Sequence, residues 1–196
     1  MKSPLRLIAA VLLLAVAGCA QPNPAFEMPQ ITFEHEPPLK LAVDHVEVVN
    51  AYHEPLAPPH VEHKMETTPA QGLKTWARDR LKAVGDPNGD WARVTIQDAE
   101  VVEKKLPLTQ GLAGTFTTDQ AYRYTLSVKA TVDILNTRGQ VLASADAQAM
   151  RSKTTPENAT LNDLHLTWFH LLEGGLKDYD KAMEPNIRKY LANWIR

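Results

Sequence analysis

The fold is decided by one stretch, Tyr122-Arg123-Tyr124-Thr125-Leu126-Ser127-Val128-Lys129-Ala130-Thr131-Val132-Asp133-Ile134-Leu135. Apolar residues hold the even positions from 122 to 134, and polar residues hold the odd positions between them. Successive side chains on a strand point to opposite faces, so this alternation predicts a long strand with one buried and one wet face. Asn136-Thr137-Arg138-Gly139 follows and reads as a hairpin turn, with Gly139 suited to a positive φ. Val141 to Ser152 then returns antiparallel, with Val141, Ala143, Ala145, Ala147 and Ala149 on its inward face. So small a row of side chains lets a neighbour come close, and the expected neighbour is the last helix.

Upstream, Trp91 to Leu106 carries Val94, Ile96, Val101 and Val102 and reads as another strand. Leu39 to Val49 reads as the first strand, but its alternation slips near His45, which points to a bulge or a sheet edge. Between them lies a marked helix start: Thr68 as N-cap, Pro69 as the first helical residue and Gln71 closing a capping box. Leu73, Trp76, Ala77, Leu81 and Val84 recur at helical spacing, and Gly85 is the expected stop. A second helix starts near Thr160, capped toward Asp163, with Leu161, Leu164, Trp168, Leu171, Leu172, Leu176, Tyr179 and Met183 as its apolar stripe. Gly174-Gly175 reads as a weak spot, Pro185 as a kink or restart, and Ile187, Tyr190, Leu191 and Trp194 as a continuing apolar face. The order β-α-β-β-β-α predicts an α+β domain over residues 39–196. It is a four-stranded, mostly antiparallel sheet with two helices on one face and its last three strands adjacent.

The N-terminus is built differently. Lys2 and Arg6 precede Leu7 to Ala17, eleven apolar residues without a charge. That run is too short for a bilayer core, which takes about 20 residues, and it fits an export signal. It ends in Val16-Ala17-Gly18-Cys19. This segment resembles the lipobox of bacterial lipoproteins. The resemblance implies that residues 1–18 are removed, that Cys19 takes a diacylglyceryl group on sulfur, and that the bilayer is a partner through that acylated cysteine. Ala20 after the cysteine implies, by the same resemblance, sorting to the periplasmic face of the outer membrane. Two or three acyl chains hold a protein in a membrane far better than one. Residues 19–38 hold Pro22, Pro24, Pro29, Pro37 and Pro38 and read as an extended tether. Cys19 is the single cysteine, so an acylated chain has no thiol left for a disulfide or a nucleophile. Cleavage would leave 19 of the 21 basic residues against 23 acidic ones, a net charge of −4. That balance excludes the basic footprint of a nucleic-acid binder.

The hairpin, the alanine-bearing strand and the long last helix also resemble auxiliary lipoproteins of ABC-type lipid and solvent transport systems. That likeness covers the C-terminal half and implies a place beside a membrane transporter, with a hydrophobic ligand between sheet and helices as one form of the role.

Residue chemistry points less sharply. His60-x-x-His63-x-x-Glu66 brings imidazole and carboxylate together at the end of a histidine-containing loop, a candidate set for Zn²⁺ or Cu²⁺. The alternative, a polar loop that happens to hold histidines, is the favoured reading, and no cofactor is expected. Ser127 and Ser144 fall on wet strand faces with no nucleophile motif around them. The pairs Asp178/Asp180, Asp86/Asp90 and Glu100/Glu103 read as solvated charge. The loop from Leu106 to Phe116 is longer and more apolar than a strand connection needs. With Lys104 and Lys105 beside it, Leu106, Leu108, Leu112 and Phe116 form a candidate docking tip for a partner or for lipid headgroups. The expected protein is a non-catalytic envelope lipoprotein with a protein partner.

Overall fold

The computed structural model describes residues 29–107 and 120–196. In chain order the elements are β1 (Leu39–Leu41), β2 (Val46–Asn50), α1 (Pro69–Arg80), β3 (Leu81–Ala83), β4 (Trp91–Lys105), β5 (Gln120–Leu135), β6 (Val141–Pro156) and α2 (Leu161–Tyr190). Short 3-10 turns lie at Glu62–Lys64 and Ala192–Trp194. Four strands form a mixed sheet in the order β2-β4-β5-β6, and β1 pairs with β3 in a separate ladder. The fold is α+β, as the alternation and the helix signals predict.

The β5–β6 hairpin follows the pattern closely. Tyr124, Leu126, Val128, Ala130, Val132 and Ile134 are all buried, and Gly139 turns at φ 76. Ala145 and Ala147 are buried beneath α2, with Ala143 and Ala149 half-buried beside them. Val141 departs from its expected inward place and is 53% exposed. A register shift sets Leu135 opposite Val141, and Leu135 takes the buried position instead.

β4 contains a bulge between Ile96 and Asp98. The extra residue flips the parity of the strand, so Val94 and Ile96 before it and Ala99 and Val101 after it all face the core. Its partner β2 runs parallel to it, from Val46 opposite Ala92 to Asn50 opposite Ile96. Parallel strands need a crossover, and α1 supplies it.

The expected first strand is two. Leu39–Leu41 leaves the main sheet and pairs parallel with Leu81–Ala83, and the chain breaks at Val43–His45 before β2 begins. That pairing also shortens α1. The capping box of Thr68 and Gln71 is formed, but the helix ends at Arg80, not at Gly85. β1 offers a ladder to the residues that follow, so Leu81 is buried as a strand residue and Val84 is 51% exposed.

α2 has the reciprocal Thr160–Asp163 capping box and runs through Pro185 to Tyr190 without a break. Leu161 lies outside the buried stripe, at 69% exposure. Gly174-Gly175 is a contact notch. A Cβ on Gly175 would overlap a methyl of Leu126, and one on Gly174 would lie 2.6 Å from Arg151 Nε. Gly72 of α1 is likewise filled by Leu176, with 2.5 Å to a Cβ. Past Pro185, Ile187 and Leu191 are buried and Trp194 is half-buried, so this face caps the core, while Tyr190 is 52% exposed. The last residues return beside β1, where Ala42 N–H donates to Trp194 O at 2.7 Å.

Packing begins earlier than Leu39. Phe33 is buried in the core cluster and Ile31 packs against it, so the end of the expected tether lies on the domain. At the far edge, β6 turns the backbone of its even-numbered residues outward, and Asn186 of α2 donates to Asp146 O at 2.8 Å. Among the described residues no helix is long and apolar enough to cross a membrane.

Candidate functional site

Three constellations collect the polar chemistry of the described chain. The first fastens the segment before β1. Arg80, at the end of α1, is fully buried. Its Nε donates to Asp180 Oδ1 at 2.8 Å, and its other nitrogens reach Glu184 and the Pro37 carbonyl. Trp76 Nε1 donates to the same Asp180 oxygen at 2.7 Å. Next to it, Asp79 accepts from Phe33 N–H at 3.0 Å, Thr32 Oγ1 at 3.2 Å and Arg78 Nε at 2.9 Å. Burial works against the Asp79 charge, but these donors outweigh it and hold the carboxyl below its ordinary pKa. Glu184 is also lowered, first by its hydrogen bond from Arg188, against burial and with help from Arg80. One arginine thus ties the strap at residues 31–38 to α1 and α2 together.

The second constellation sits where β2 ends and residues 59–61 take over the edge of β4, Val61 N–H donating to Val101 O at 2.9 Å and Glu103 N–H to Pro59 O at 2.8 Å. Glu62 is fully buried there, accepting from Val101 N–H at 3.1 Å and from Tyr52 OH at 2.6 Å. The carboxylate takes the Val101 N–H beside that short backbone bridge. Burial and the adjoining Glu62 push the Tyr52 hydroxyl up. Glu100 is raised as well, by burial first and then by Asp98 and Glu62, with His60 opposing. His60 Nδ1 lies 3.7 Å from Glu62 Oε1 and 3.8 Å from Glu100 Oε2, beyond hydrogen-bond reach. His60 Nδ1 and His63 Nδ1 are buried without a partner among the described residues. The candidate metal residues are not brought together: His60 faces Glu62 and Glu100, while Glu66 lines a different cavity. Among the described residues no three His, Cys, Asp or Glu side chains are grouped to hold a metal ion.

The third is that cavity, lined by Pro29, Met65, Glu66, Thr67, His165, Trp168, Phe169 and Leu172. His165 stacks on Trp168 at 5.8 Å, and Trp168 meets Tyr124 edge to face at 5.7 Å. Its volume is about 30 Å³, enough for a water but not for a lipid chain. The space between sheet and helices is filled by Val94, Ile96, Leu126, Leu171, Leu172 and Leu176.

Ser127 and Ser144 each donate to a carboxylate on the neighbouring strand. Ser127 Oγ donates to Asp98 at 2.5 Å and Ser144 Oγ to Asp133 at 2.7 Å. The carboxylate pairs are corrected in part. Asp180 and Asp90 are buried, and Asp90 accepts from Trp194 Nε1 at 3.1 Å. Asp178 meets Arg151 at the surface, at 2.5 Å. Leu106 is half-buried, whereas Leu108, Leu112 and Phe116 lie outside the described residues, as does Cys19. Sequence reading missed Glu62 and Arg80. The available signal for Arg80 was an arginine falling on the same helix face as Trp76 and Leu73.

No family model matches the chain, and no curated protein matches it. Among solved structures, protein XCC0632 from Xanthomonas campestris, of family DUF330, aligns over 78% of this chain and 83% of its own, with 11% identity and a TM-score of 0.28. A likeness that slight transfers no function.

Proposed function

We propose that this chain is a non-catalytic module of the bacterial envelope. An acylated Cys19 holds it at the periplasmic face of the outer membrane, and its folded domain binds a protein partner in an assembly there. The observation that carries this reading is the clamp around Arg80. A segment that served only as a slack leash would need no fixed contacts, yet the residues leading back toward Cys19 are bound to both helices by buried charge. Such a clamp fixes the direction in which the domain meets its tether, which suits a module that must present one face to a neighbour. Ser127, Ser144, Asp90, Asp178 and Asp180 are engaged in hydrogen bonds or ion pairs, and this supports a binding role over a catalytic one.

Replacing Cys19→Ser and fractionating cells tests the anchor. The wild-type chain is expected, cleaved, in the outer-membrane fraction, and crosslinking in intact cells is expected to give a discrete protein adduct. The variant is expected to stay uncleaved and to lose both. A Cys19→Ser chain that is processed and recovered in the outer membrane would overturn the proposal.

A further inference from the structure

β6 is the last strand in the sheet order, so one of its sides has no strand beside it among the described residues. The β5–β6 register runs without a shift from Ile134 opposite Ala143 to Tyr122 opposite Thr155, and the even-numbered residues of β6 turn their backbone outward. Asn186 takes the Asp146 carbonyl at 2.8 Å. Past that point, among the described residues, nothing bonds the outward N–H and C=O of Gln148, Met150, Ser152 or Thr154. Unpaired groups in such a row are a template for one more strand.

The side chains around this open run say what kind of strand it takes. Arg123, Ser152, Lys153 and Thr154 line a shallow depression at its end. Lys153 stands opposite Tyr124, on the helix side of the sheet, and Arg123 stands opposite Thr154, on the other side. The two cations therefore flank the edge from opposite faces. Among the described residues neither has an ion-pair partner. Glu103 shares the helix side with Lys153 but lies two strands away on β4, where it accepts from Tyr124 OH at 2.8 Å. Ser152 and Thr154 add hydroxyls on the Arg123 side, and Met150, 72% exposed, adds an apolar contact there. Successive side chains of an added strand alternate between the two faces, so adjacent acidic residues meet a cation on each. A second β6 fits badly. Pairing along the whole run, Gln148 against Thr154, sets Arg151 opposite its own counterpart, and like charges so placed repel.

We infer that β6, from Ala147 to Pro156, binds an extended acidic segment of a partner protein as a fifth strand of the sheet. Main-chain hydrogen bonds supply the grip, and Arg123 and Lys153 select the partner by charge. This inference gives the surface and the partner chemistry for the binding module proposed above, and it rests on that reading.

The test uses the full lipidated chain in detergent micelles, with hydrogen exchange resolved to single amides. The probe is a threonine–valine peptide with two adjacent glutamates at its centre, and the control is the same peptide with two lysines. The glutamate peptide is expected to slow exchange at Gln148, Met150, Ser152 and Thr154 about tenfold. Ala149 and Arg151, already in the β5 ladder, should stay as they were. No protection by the glutamate peptide would overturn the site, and equal protection by the lysine peptide would overturn the acidic assignment. Lys153→Glu should weaken the glutamate peptide about tenfold, and unchanged binding would overturn the selection by charge. Met150→Pro removes an outward N–H that the fold does not use, so the chain should stay folded and lose the peptide, while Met150→Ala should keep it. Protection that grows with protein concentration in the absence of peptide would assign the edge to a second copy and overturn the inference. In intact cells Met150→Pro should lose the protein adduct while staying in the outer membrane. A persisting adduct would overturn the edge assignment and leave the binding module standing. Edge protection by the peptide with no wild-type adduct in cells would overturn the module and uphold the edge.

Discussion

The clamp around Arg80 and the edge cluster around Glu62 are both built on buried charge, but they are completed to different degrees. At the clamp, a buried guanidinium meets two carboxylates and a carbonyl, and the Asp180 oxygen also takes a tryptophan N–H. At the edge, Glu62 is satisfied, while His60 stands between two carboxylates without bonding either. The clamp joins residues more than a hundred positions apart, whereas the edge cluster closes a gap between neighbouring strands. A matched ionic network holds distant segments in one arrangement. A partly matched one finishes a sheet and leaves its histidine Nδ1 without a bond.

The sharpest way to break this contrast is Asp180→Ala. It strips Arg80 of its buried partner and leaves Trp76 Nε1 without an acceptor. A loss of about 3–5 kcal/mol is expected in urea unfolding, with early proteolysis of the strap. A loss below about 1 kcal/mol would show that the network adds little. Glu62→Ala should cost less, about 1–3 kcal/mol, because it orphans one strand N–H and one hydroxyl. Its signature is local, with faster hydrogen exchange at Val101 and little change at Phe33. Equal acceleration at both sites would mean that the two clusters are one cooperative unit.

Acid separates them most gently. Asp79 and Glu184 have lowered pKa values in the folded chain, so the stability they contribute is present above the unfolded carboxylate range and is lost as pH falls through their folded values. Glu100 is raised, so its contribution has the opposite sign: present below the unfolded value and lost as pH rises through the folded one. Lowering the pH should therefore free the strap while relieving the edge. Exchange at Phe33 is expected to quicken in acid before exchange at Val101 does. The reverse order would contradict the assigned directions.

What could be read from the sequence was local. The alternation from Tyr122 to Ile134, the Gly139 turn and both capping boxes each involve residues a few positions apart, and all took the expected form. The departures come from partners far along the chain. Leu81 satisfies the helical stripe and the strand pattern equally, and only Leu39 as ladder partner decides between them. Gly174-Gly175 looks like a helix defect until Leu126 and Arg151 are seen to fill the space. Asp180 looks solvated until Arg80 and Trp76 arrive from α1. Glu62 carries no local sign that a strand would end beside it. The histidine loop reads as polar chain rather than metal set on the same ground, since spacing along a loop does not fix where its side chains converge.

The contact between Asn186 and the Asp146 carbonyl bears on the fate of the chain at high concentration. β6 is a sixteen-residue border strand, long enough to template the growth of a fibril. Asn186 already fills one outward rung, at the sixth of its sixteen residues. An incoming chain that zips from either end meets a rung that is taken, so the longest uninterrupted run falls from sixteen residues to the ten after Asp146. A single amide thus interrupts the one long border of the sheet.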